Sequence, residues 1–317
     1  MPPEHPDALR GEGGAERSDA LRGAASAEHP DALWGEGACG RSGFVTLIGR
    51  PNAGKSTLLN KILGLKVSIV SDKPQTTRTQ VRGVLDRPGA QLVFVDTPGI
   101  HKPRTALGSS LNATASQASS QVDVVCFVLD ATARYGRGDA AIAQRLPKES
   151  VIVVTKSDIA SRRQIAEQLA ATSGLDAAQW FPVSGRTGEG IEELVSYLTT
   201  RMPAGPRLYP FGMVTDIGDE FWVAELVREK LLALTREELP HSVATRVTEW
   251  EWPRIRCEIL VERESQKPMV IGRGGEVLKK VGTAVRAELG EEVFIELFVK
   301  VEKNWQRRPE VVRRLGY

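Results

Sequence analysis

A glycine-rich segment followed by lysine and serine predicts a phosphate-binding loop. The segment GRPNAGKS at 49–56 fits the pattern G-x-x-x-x-G-K-[ST], directly after a predicted strand and at the start of a predicted helix. In that context backbone N–H groups and the helix N-terminus surround a phosphate. Lys55 can reach the β- and γ-phosphate oxygens, and the Ser56 hydroxyl can bind Mg²⁺. The nucleotide-binding residues predicted here are Gly49, Arg50, Pro51, Asn52, Ala53, Gly54, Lys55, Ser56 and Thr57.

The tetrapeptide DTPG at 96–99 supplies a second candidate for the phosphate site. It ends a predicted buried strand, LVFVD, so Asp96 is expected to hold Mg²⁺ through water and the Gly99 amide can meet the γ-phosphate. Alone, the tetrapeptide also fits an Asp-initiated β-turn. The aliphatic Ile100 cannot orient an attacking water, so hydrolysis needs another source of charge stabilisation or is slow. The predicted nucleotide contacts in this region are Asp96, Thr97, Pro98, Gly99 and Ile100.

The tetrapeptide TKSD at 155–158 indicates a preference for guanine. Asp158 can accept hydrogen bonds from N1–H and the amino group of guanine, whereas adenine offers no matching donor pair. Lys156 can lay its aliphatic stem over the base. A P-loop ATPase remains the alternative, and ATP competing with GTP at comparable affinity would favour it. The predicted base contacts, which include the loop SGRTG at 184–188, are Thr155, Lys156, Ser157, Asp158, Ser184 and Gly185.

The segment PQTTRT at 74–79 lies between the phosphate loop and the second predicted strand, where a segment that responds to the γ-phosphate is expected. Thr76 or Thr77 can complete the Mg²⁺ coordination, and the pattern does not decide between them. We take Thr77 as the candidate, so the predicted metal ligands are Ser56, Thr77 and Asp96. The predicted switch residues are Gln75, Thr76, Thr77, Arg78 and Thr79.

Short strands rich in β-branched residues alternate with helical stretches up to about residue 201. The predicted strands at 44–48, 92–96, 124–129 and 151–154 are short runs rich in β-branched residues, as in a parallel sheet covered on both faces. This α/β pattern predicts a doubly wound sheet of the P-loop NTPase type. The segment RMPAGPRLYP at 201–210 breaks it, because three prolines and a glycine cannot continue a helix. A smaller α+β unit of just over 100 residues follows.

Composition narrows the class of protein. The chain has 317 residues and a net charge of +2, with 41% hydrophobic and 26% charged residues, which is typical of a globular protein without a global nucleic-acid or membrane signature. Its longest apolar runs have five or six residues, against ~20 for a spanning helix. The acidic, repetitive segment 1–38 predicts a disordered tail. Three widely separated cysteines favour a reducing compartment.

The motifs described above, in their order and spacing, resemble the Era family among the translation-factor-related GTPases. The C-terminal part carries the resemblance further, with REKLL at 228–232, ELPHSV at 238–243, ILVERESQKPMVIGRGG at 259–275 and LFVKVEKNW at 297–305. Two departures are Thr155, where the family has asparagine, and Gly185, where it usually has alanine. The resemblance implies a GTP-binding domain at 43–202, a linker at 203–211 and a KH-type RNA-binding domain at 212–317.

The segment GRGG at 272–275 is the candidate RNA contact. In a KH domain a G-x-x-G loop lets an RNA backbone approach closely, and the following helix N-terminus faces the phosphates. Alone, the pattern also fits a structural turn. If the second domain binds a protein instead, the chain would be a GTPase of cell-cycle or membrane-linked regulation. The predicted RNA-binding residues are Gly272, Arg273, Gly274, Gly275, Lys279 and Lys280.

The resemblance also implies the activity and the partners. It implies a GTP-hydrolysing switch that binds the 3′ end of 16S ribosomal RNA during maturation of the 30S subunit, with Lys55, Asn52 and Thr77 as the catalytic residues. Mg²⁺ is the expected cofactor, and Asn52 is expected to help bind K⁺, which would supply the charge that Ile100 cannot. A monomer in the cytoplasm is expected, with peripheral contact at the inner membrane face.

Overall fold

The computed structural model describes residues 40–100, 105–120, 122–235 and 239–317. Within them the strands form two sheets, a large one in the first two thirds of the chain and a three-stranded one after it. The predicted disordered tail, 1–38, lies outside the described residues. Among the described helices we find none with the length and apolar composition that crossing a bilayer requires.

The large sheet has the order β2-β3-β1-β4-β5-β6, and β7 pairs with β1 beside this path. β2 and β7 are antiparallel to their partners, and the remaining pairs are parallel. The strands are β1 Gly40–Ile48, β2 Val81–Arg87, β3 Ala90–Asp96, β4 Val124–Asp130, β5 Ser150–Thr155, β6 Ala177–Pro182 and β7 Ala204–Gly205.

Helices cover both faces of this sheet, which explains its apolar strands. All residues of β3 and β5 are buried. α1 and α5 pack on one face, and α3 and α4 pack on the other. The helices of this part are α1 Lys55–Leu63, α2 Ala106–Ser120, α3 Arg137–Ala143, α4 Arg162–Thr172 and α5 Ile191–Arg201. The predicted doubly wound P-loop fold is therefore confirmed, with an antiparallel edge strand added.

Besides the two-residue strand β7, three elements of this part gave no clear signal in the sequence: β2, α2 and β6. β2 reads VRGVLDR, and charged residues interrupt its apolar pattern. α2 contains five serines together with one glycine, one asparagine and one threonine among its fifteen residues, and these weak helix formers mask the signal of its four alanines. Its helical state is explained by packing, because Leu107, Leu111 and Ala115 are buried.

The smaller sheet has the order β10-β9-β8, with β8 and β9 antiparallel and β9 and β10 parallel. The connection between the parallel strands contains α8 and α9, and α6 packs with α9 over a core that includes Val227, Ile259, Val281 and Val285. The elements are α6 Asp219–Leu234, α7 Leu239–Ser242, β8 Ala244–Glu251, β9 Arg254–Val261, α8 Lys267–Ile271, α9 Glu276–Leu289, β10 Phe294–Val301 and α10 Pro309–Arg314.

The two parts contact each other. Leu107 and Leu111 of α2 pack in one apolar cluster with Trp305, Val312 and Leu315 from the end of the chain. The connecting segment 203–211 also lies against the large sheet, because it contains β7 and because the Gln91 side-chain oxygen accepts hydrogen bonds from the backbone N–H groups of residues 208 and 209.

Candidate nucleotide and RNA sites

The phosphate loop connects the carboxyl end of β1 to α1, which begins directly after Gly54. The DTPG segment lies against it: the Ile100 N–H donates to the Gly49 carbonyl at 3.3 Å. A Cβ atom on Gly99 would lie 2.7 Å from the backbone nitrogen of Pro51, so only glycine allows this approach. The structure therefore brings the two predicted phosphate-binding segments together.

Lys55 is buried inside this loop. Its Nζ donates to the carbonyls of Gly49 and Arg50 at 3.2 and 3.0 Å, and the residue is 5% exposed. Burial lowers the pKa of Lys55 to about 8, and the nearby charge of Asp96 opposes this shift. The ammonium therefore keeps its charge at neutral pH in a desolvated place, where a phosphate would interact with it strongly. The Arg50 side chain, in contrast, pairs with Asp139 at 3.2 Å.

The three predicted metal ligands meet at the end of β3. Asp96 Oδ2 accepts hydrogen bonds from Ser56 Oγ at 2.6 Å and from Thr77 Oγ1 at 3.3 Å, and the two hydroxyls are 2.9 Å apart. Burial raises the pKa of Asp96, which is 0% exposed. Its Oδ1 has no hydrogen-bond partner among the described residues. A buried carboxylate oxygen without a partner, beside two hydroxyls, fits Mg²⁺, which prefers oxygen ligands.

Ser68 also belongs to this cluster, and our sequence analysis missed it. Its Oγ donates to Asp96 Oδ2 at 2.9 Å. Asn60 of α1 positions it, because the Asn60 side chain accepts from the N–H groups of Val67 and Ser68 and donates to the Ser68 carbonyl. No motif pointed to Ser68, since the contact with Asp96 depends on the path of the loop after α1.

The predicted base contacts lie at the carboxyl end of β5 and in the loop after β6. Asp158 is exposed, and its Oδ1 accepts a hydrogen bond from Ser184 Oγ at 2.8 Å. Ser184 Oγ in turn accepts from the N–H groups of Arg186 and Thr187. Lys156 pairs with Asp130 at 2.6 Å, a partner that we did not predict. The loop thus holds the Asp158 carboxylate in one orientation.

Thr155 and Gly185, two of the departures from the family pattern, each have a structural role. The Thr155 hydroxyl donates to the Ala53 carbonyl at 2.7 Å and lies 3.0 Å from the Leu129 carbonyl, so it ties the phosphate loop to β4 and β5. A Cβ atom on Gly185 would lie 3.0 Å from the backbone nitrogen of Leu58 in α1. At Gly185 the absence of a side chain therefore permits a close approach to α1.

The predicted switch residues lie between the phosphate site and the second part of the chain. Gln75, Thr76 and Thr77 line the cleft beside the phosphate loop, the candidate nucleotide site. Arg78 is 2% exposed and points away from the cleft, donating to the Val243 carbonyl at 2.6 Å. Its guanidinium lies 5.6 Å from the Trp305 ring centre and 5.5 Å from that of Tyr317. Thr79 Oγ1 donates to the Gly316 carbonyl at 3.3 Å.

The GRGG segment forms a turn before α9. Gly272 has φ 77 and ψ 170, and a Cβ there would lie 2.8 Å from the Val277 backbone nitrogen, so the turn requires glycine. The side chains of Arg273, Lys279 and Lys280 are exposed. The structure therefore places three cationic side chains and a helix N-terminus around one small turn.

Comparison with protein families divides the chain in the same way. Residues 44–156 match the model of the 50S ribosome-binding GTPase family, and residues 238–306 match the model of the KH domain. The GTPase Era of Nocardioides sp. is 44% identical over 301 residues, which cover 87% of this chain and 96% of the relative. The chain belongs to the Era family of GTPases. The GTPase Era of Streptomyces coelicolor is 45% identical over 304 residues.

Solved structures of Era have the same two-part fold. A crystal structure of Era with MgGDPNP and nucleotides 1506–1542 of 16S ribosomal RNA has a TM-score of 0.82 and 40% identity, covering 87% of this chain and 99% of that one. The crystal structure of an Aquifex aeolicus Era variant bound to GDP.AlF4⁻ also has a TM-score of 0.82, at 39% identity and with the same coverage. The predicted family and fold are therefore confirmed, and as an Era-family member the protein is a GTPase.

Proposed function

We propose that this Era-family GTPase binds the 3′ end of 16S ribosomal RNA with an affinity that changes when GTP is hydrolysed, and that it so assists maturation of the 30S subunit. The position of the switch segment supports this most directly: Thr77 donates to Asp96, a predicted metal ligand, while the adjoining Arg78 is buried against the second part of the chain. We assign 43–202 to GTP binding, 203–211 to the linker and 212–317 to RNA binding.

In this proposal Ser56, Thr77 and Asp96 hold Mg²⁺, which neutralises charge on the β- and γ-phosphates. Lys55 releases the carbonyls of the phosphate loop and binds the same phosphate oxygens. The loop amides from Asn52 to Thr57 surround the β-phosphate, and the Gly99 amide meets the γ-phosphate. Because Ile100 orients no water, the rate of hydrolysis depends on how well these groups stabilise charge.

A second cation, K⁺, is part of the proposal. The Asn52 side-chain nitrogen donates to the Asp72 carbonyl at 2.6 Å, so a side-chain amide of the phosphate loop and a carbonyl of the loop after α1 already lie together. Rotation of the Asn52 amide would turn its oxygen toward the Asp72 carbonyl oxygen, and both kinds of oxygen are ligands for a hard cation. A K⁺ ion between them and the phosphates would place positive charge where hydrolysis develops negative charge.

Replacing K⁺ by Na⁺ at equal ionic strength is expected to slow GTP hydrolysis about 10-fold, a typical value for the loss of part of the charge stabilisation. GDP affinity should stay within about twofold, because the cation acts mainly on the transition state. Single-turnover hydrolysis in each salt measures the effect, and Asn52→Ala should remove the difference between salts. Equal wild-type rates in both salts would contradict the K⁺ site, and the role of Asn52 would then be its structural contact with Asp72.

The RNA site is proposed at the GRGG turn, with Arg273, Lys279 and Lys280 near the phosphates. Gly274 offers a clean probe, since it has φ 60 and a Cβ there would meet nothing within 4 Å. Asp and Asn both tolerate this left-handed conformation. Gly274→Asp therefore adds a negative charge without a steric clash, and Gly274→Asn is its neutral control.

Gly274→Asp is expected to weaken binding of a single-stranded 16S 3′-end RNA about 30-fold, and Gly274→Asn less than about fivefold, because like charge opposes the RNA backbone. Fluorescence anisotropy with a GTP analogue, with GDP and without nucleotide measures both the variants and the switch. We expect the tightest wild-type binding with the GTP analogue. Absence of RNA binding in every nucleotide state would favour a protein partner for the second domain.

The proposal also includes three expectations drawn from the resemblance alone: a monomer, a cytoplasmic location and peripheral contact with the inner membrane face. Gel filtration tests the first of them. Co-sedimentation with vesicles that contain anionic lipid tests the last.

A further inference from the structure

The motif REKLL at 228–232 lies in α6, and Arg228 within it is fully buried. The Arg228 guanidinium binds Glu225 through two bonds, from Nε at 2.8 Å and from Nη2 at 2.5 Å. The same Nη2 also donates to the main-chain carbonyl of Thr76 in the switch segment. A side chain of the second domain therefore hydrogen-bonds to the backbone of the first domain.

Thr76 directly precedes the residue that we assign to the metal site. Thr77 Oγ1 lies 2.9 Å from Ser56 Oγ and 3.3 Å from Asp96 Oδ2. One planar peptide unit carries both the Thr76 carbonyl and the Thr77 amide, so fixing the carbonyl fixes the plane from which the Thr77 side chain starts. The bond from Arg228 is thus one residue away from a predicted Mg²⁺ ligand.

We propose that Arg228, held in place by Glu225, is a positioning residue for the magnesium site. Through Arg228 the position of the second domain relative to the first sets the rate of GTP hydrolysis. This inference rests on the proposed assignment of Thr77 as a metal ligand. It gives the REKLL motif a function in the nucleotide site, although Arg228 contacts neither nucleotide nor metal ligand side chain.

The burial of the pair supports this reading. Glu225 is 7% exposed and Arg228 is 0% exposed, and two charges removed from water contribute little net stability. The fork of the guanidinium, however, can bind a carboxylate and a carbonyl at fixed angles, which a lysine cannot do. The arrangement is therefore better suited to orienting the Thr76 carbonyl than to stabilising the fold.

Neighbouring contacts hold the loop between α1 and the switch segment to the second domain without reaching Thr77. Glu229 Oε1 accepts from the Val70 N–H at 2.9 Å, and Glu229 Oε2 pairs with Lys66 at 2.5 Å. Glu288 of α9 also pairs with Lys66, at 2.9 Å. Glu288 therefore contributes to the contact between the two domains but binds Lys66, ten positions before Thr76. It is a matched control for this reason.

The test compares the full-length double variant Arg228→Met/Glu225→Gln with Glu288→Gln. The double variant removes the donor to Thr76 without leaving an unpaired buried carboxylate. We expect the Mg²⁺ concentration for half-maximal hydrolysis to rise about 10-fold, as when a partner of a metal ligand is lost, with the rate partly restored at high Mg²⁺. GDP affinity in EDTA should change less than about twofold, since Lys55 and the base contacts remain.

Glu288→Gln should leave the Mg²⁺ dependence at the wild-type value. Arg228→Lys provides a second variant that keeps a buried charge, and a shift of about threefold is expected because lysine keeps only part of the donor geometry. An unchanged Mg²⁺ dependence in both folded Arg228 variants would overturn the inference. Thr77→Ala is measured alongside: if it too leaves the Mg²⁺ dependence unchanged, the assignment of Thr77 fails, and the inference fails with it for that separate reason.

Discussion

Lys55→Ala is expected to lower the affinity for both GTP and GDP by about 100- to 1,000-fold, which corresponds to the loss of a buried charge contact. Lys55 is 5% exposed, burial lowers its pKa to about 8, and among the described residues its ammonium donates to two carbonyls. When a nucleotide binds, its charged phosphate oxygens replace these neutral carbonyls as partners of the Lys55 ammonium. This ion pair is strong because it forms in a place that is shielded from bulk water.

Calorimetry or a fluorescent guanine nucleotide measures this loss. Lys55→Met keeps the volume of the aliphatic stem and should bind as weakly as Lys55→Ala, which assigns the effect to the charge. Lys148→Ala removes a lysine whose side chain is 89% exposed, in the loop that precedes β5, and should bind normally. Retained micromolar affinity in the folded Lys55 variants would contradict the assignment of the phosphate loop.

The gathering of the predicted nucleotide-binding segments could be foreseen because they are short segments that follow buried strands. The phosphate loop follows β1, DTPG ends β3 and TKSD ends β5. The carboxyl ends of neighbouring parallel strands meet at one edge of a sheet, so strands that can be recognised separately bring these segments together. The motifs and the predicted fold class therefore place these segments at the same edge of the sheet, and no knowledge of long-range contacts is needed.

The contacts that were missed depend on the path of loops and on packing between distant parts of the chain. Ser68 reaches Asp96 only because Asn60 folds the loop after α1 back on itself. Arg228 reaches Thr76 across 152 positions of sequence. A serine in a loop and an arginine in a helix are common residues, and their types alone indicate nothing.

The predicted switch segment has contacts on two sides, of which the sequence indicated only one. The segment 75–79 was predicted from its place between α1 and β2, and all five residues were assigned to nucleotide sensing. In the structure Thr77 faces Asp96, the candidate metal ligand, whereas Arg78 is enclosed by Val243, Trp305 and Tyr317. A movement of Thr77 toward a γ-phosphate would therefore be transmitted to residues of the second domain.

Asp158→Asn is expected to reverse the base preference, with GTP affinity falling about 100-fold and the ratio of XTP to GTP affinity rising about 1,000-fold, as expected for replacing paired groups by unpaired ones in a built site. Asp158 Oδ1 accepts a hydrogen bond from Ser184, whose own orientation is fixed by the Arg186 and Thr187 amides. In the variant the amide oxygen should keep this bond. The amide nitrogen then takes the place of Oδ2. With guanine, this donor faces the amino group, which is also a donor, whereas with xanthine it can donate to the 2-carbonyl.

Competition of GTP, XTP and ATP against a labelled nucleotide tests this reversal. Ser184→Ala should weaken GTP binding without favouring XTP, because it frees the carboxylate but leaves its charge, and so it separates orientation from chemistry. An unaltered ratio of XTP to GTP in Asp158→Asn would remove Asp158 from the base site. Comparable affinity of the wild type for ATP and GTP would go further, since the Asp158 carboxylate would then make no distinction between guanine and adenine.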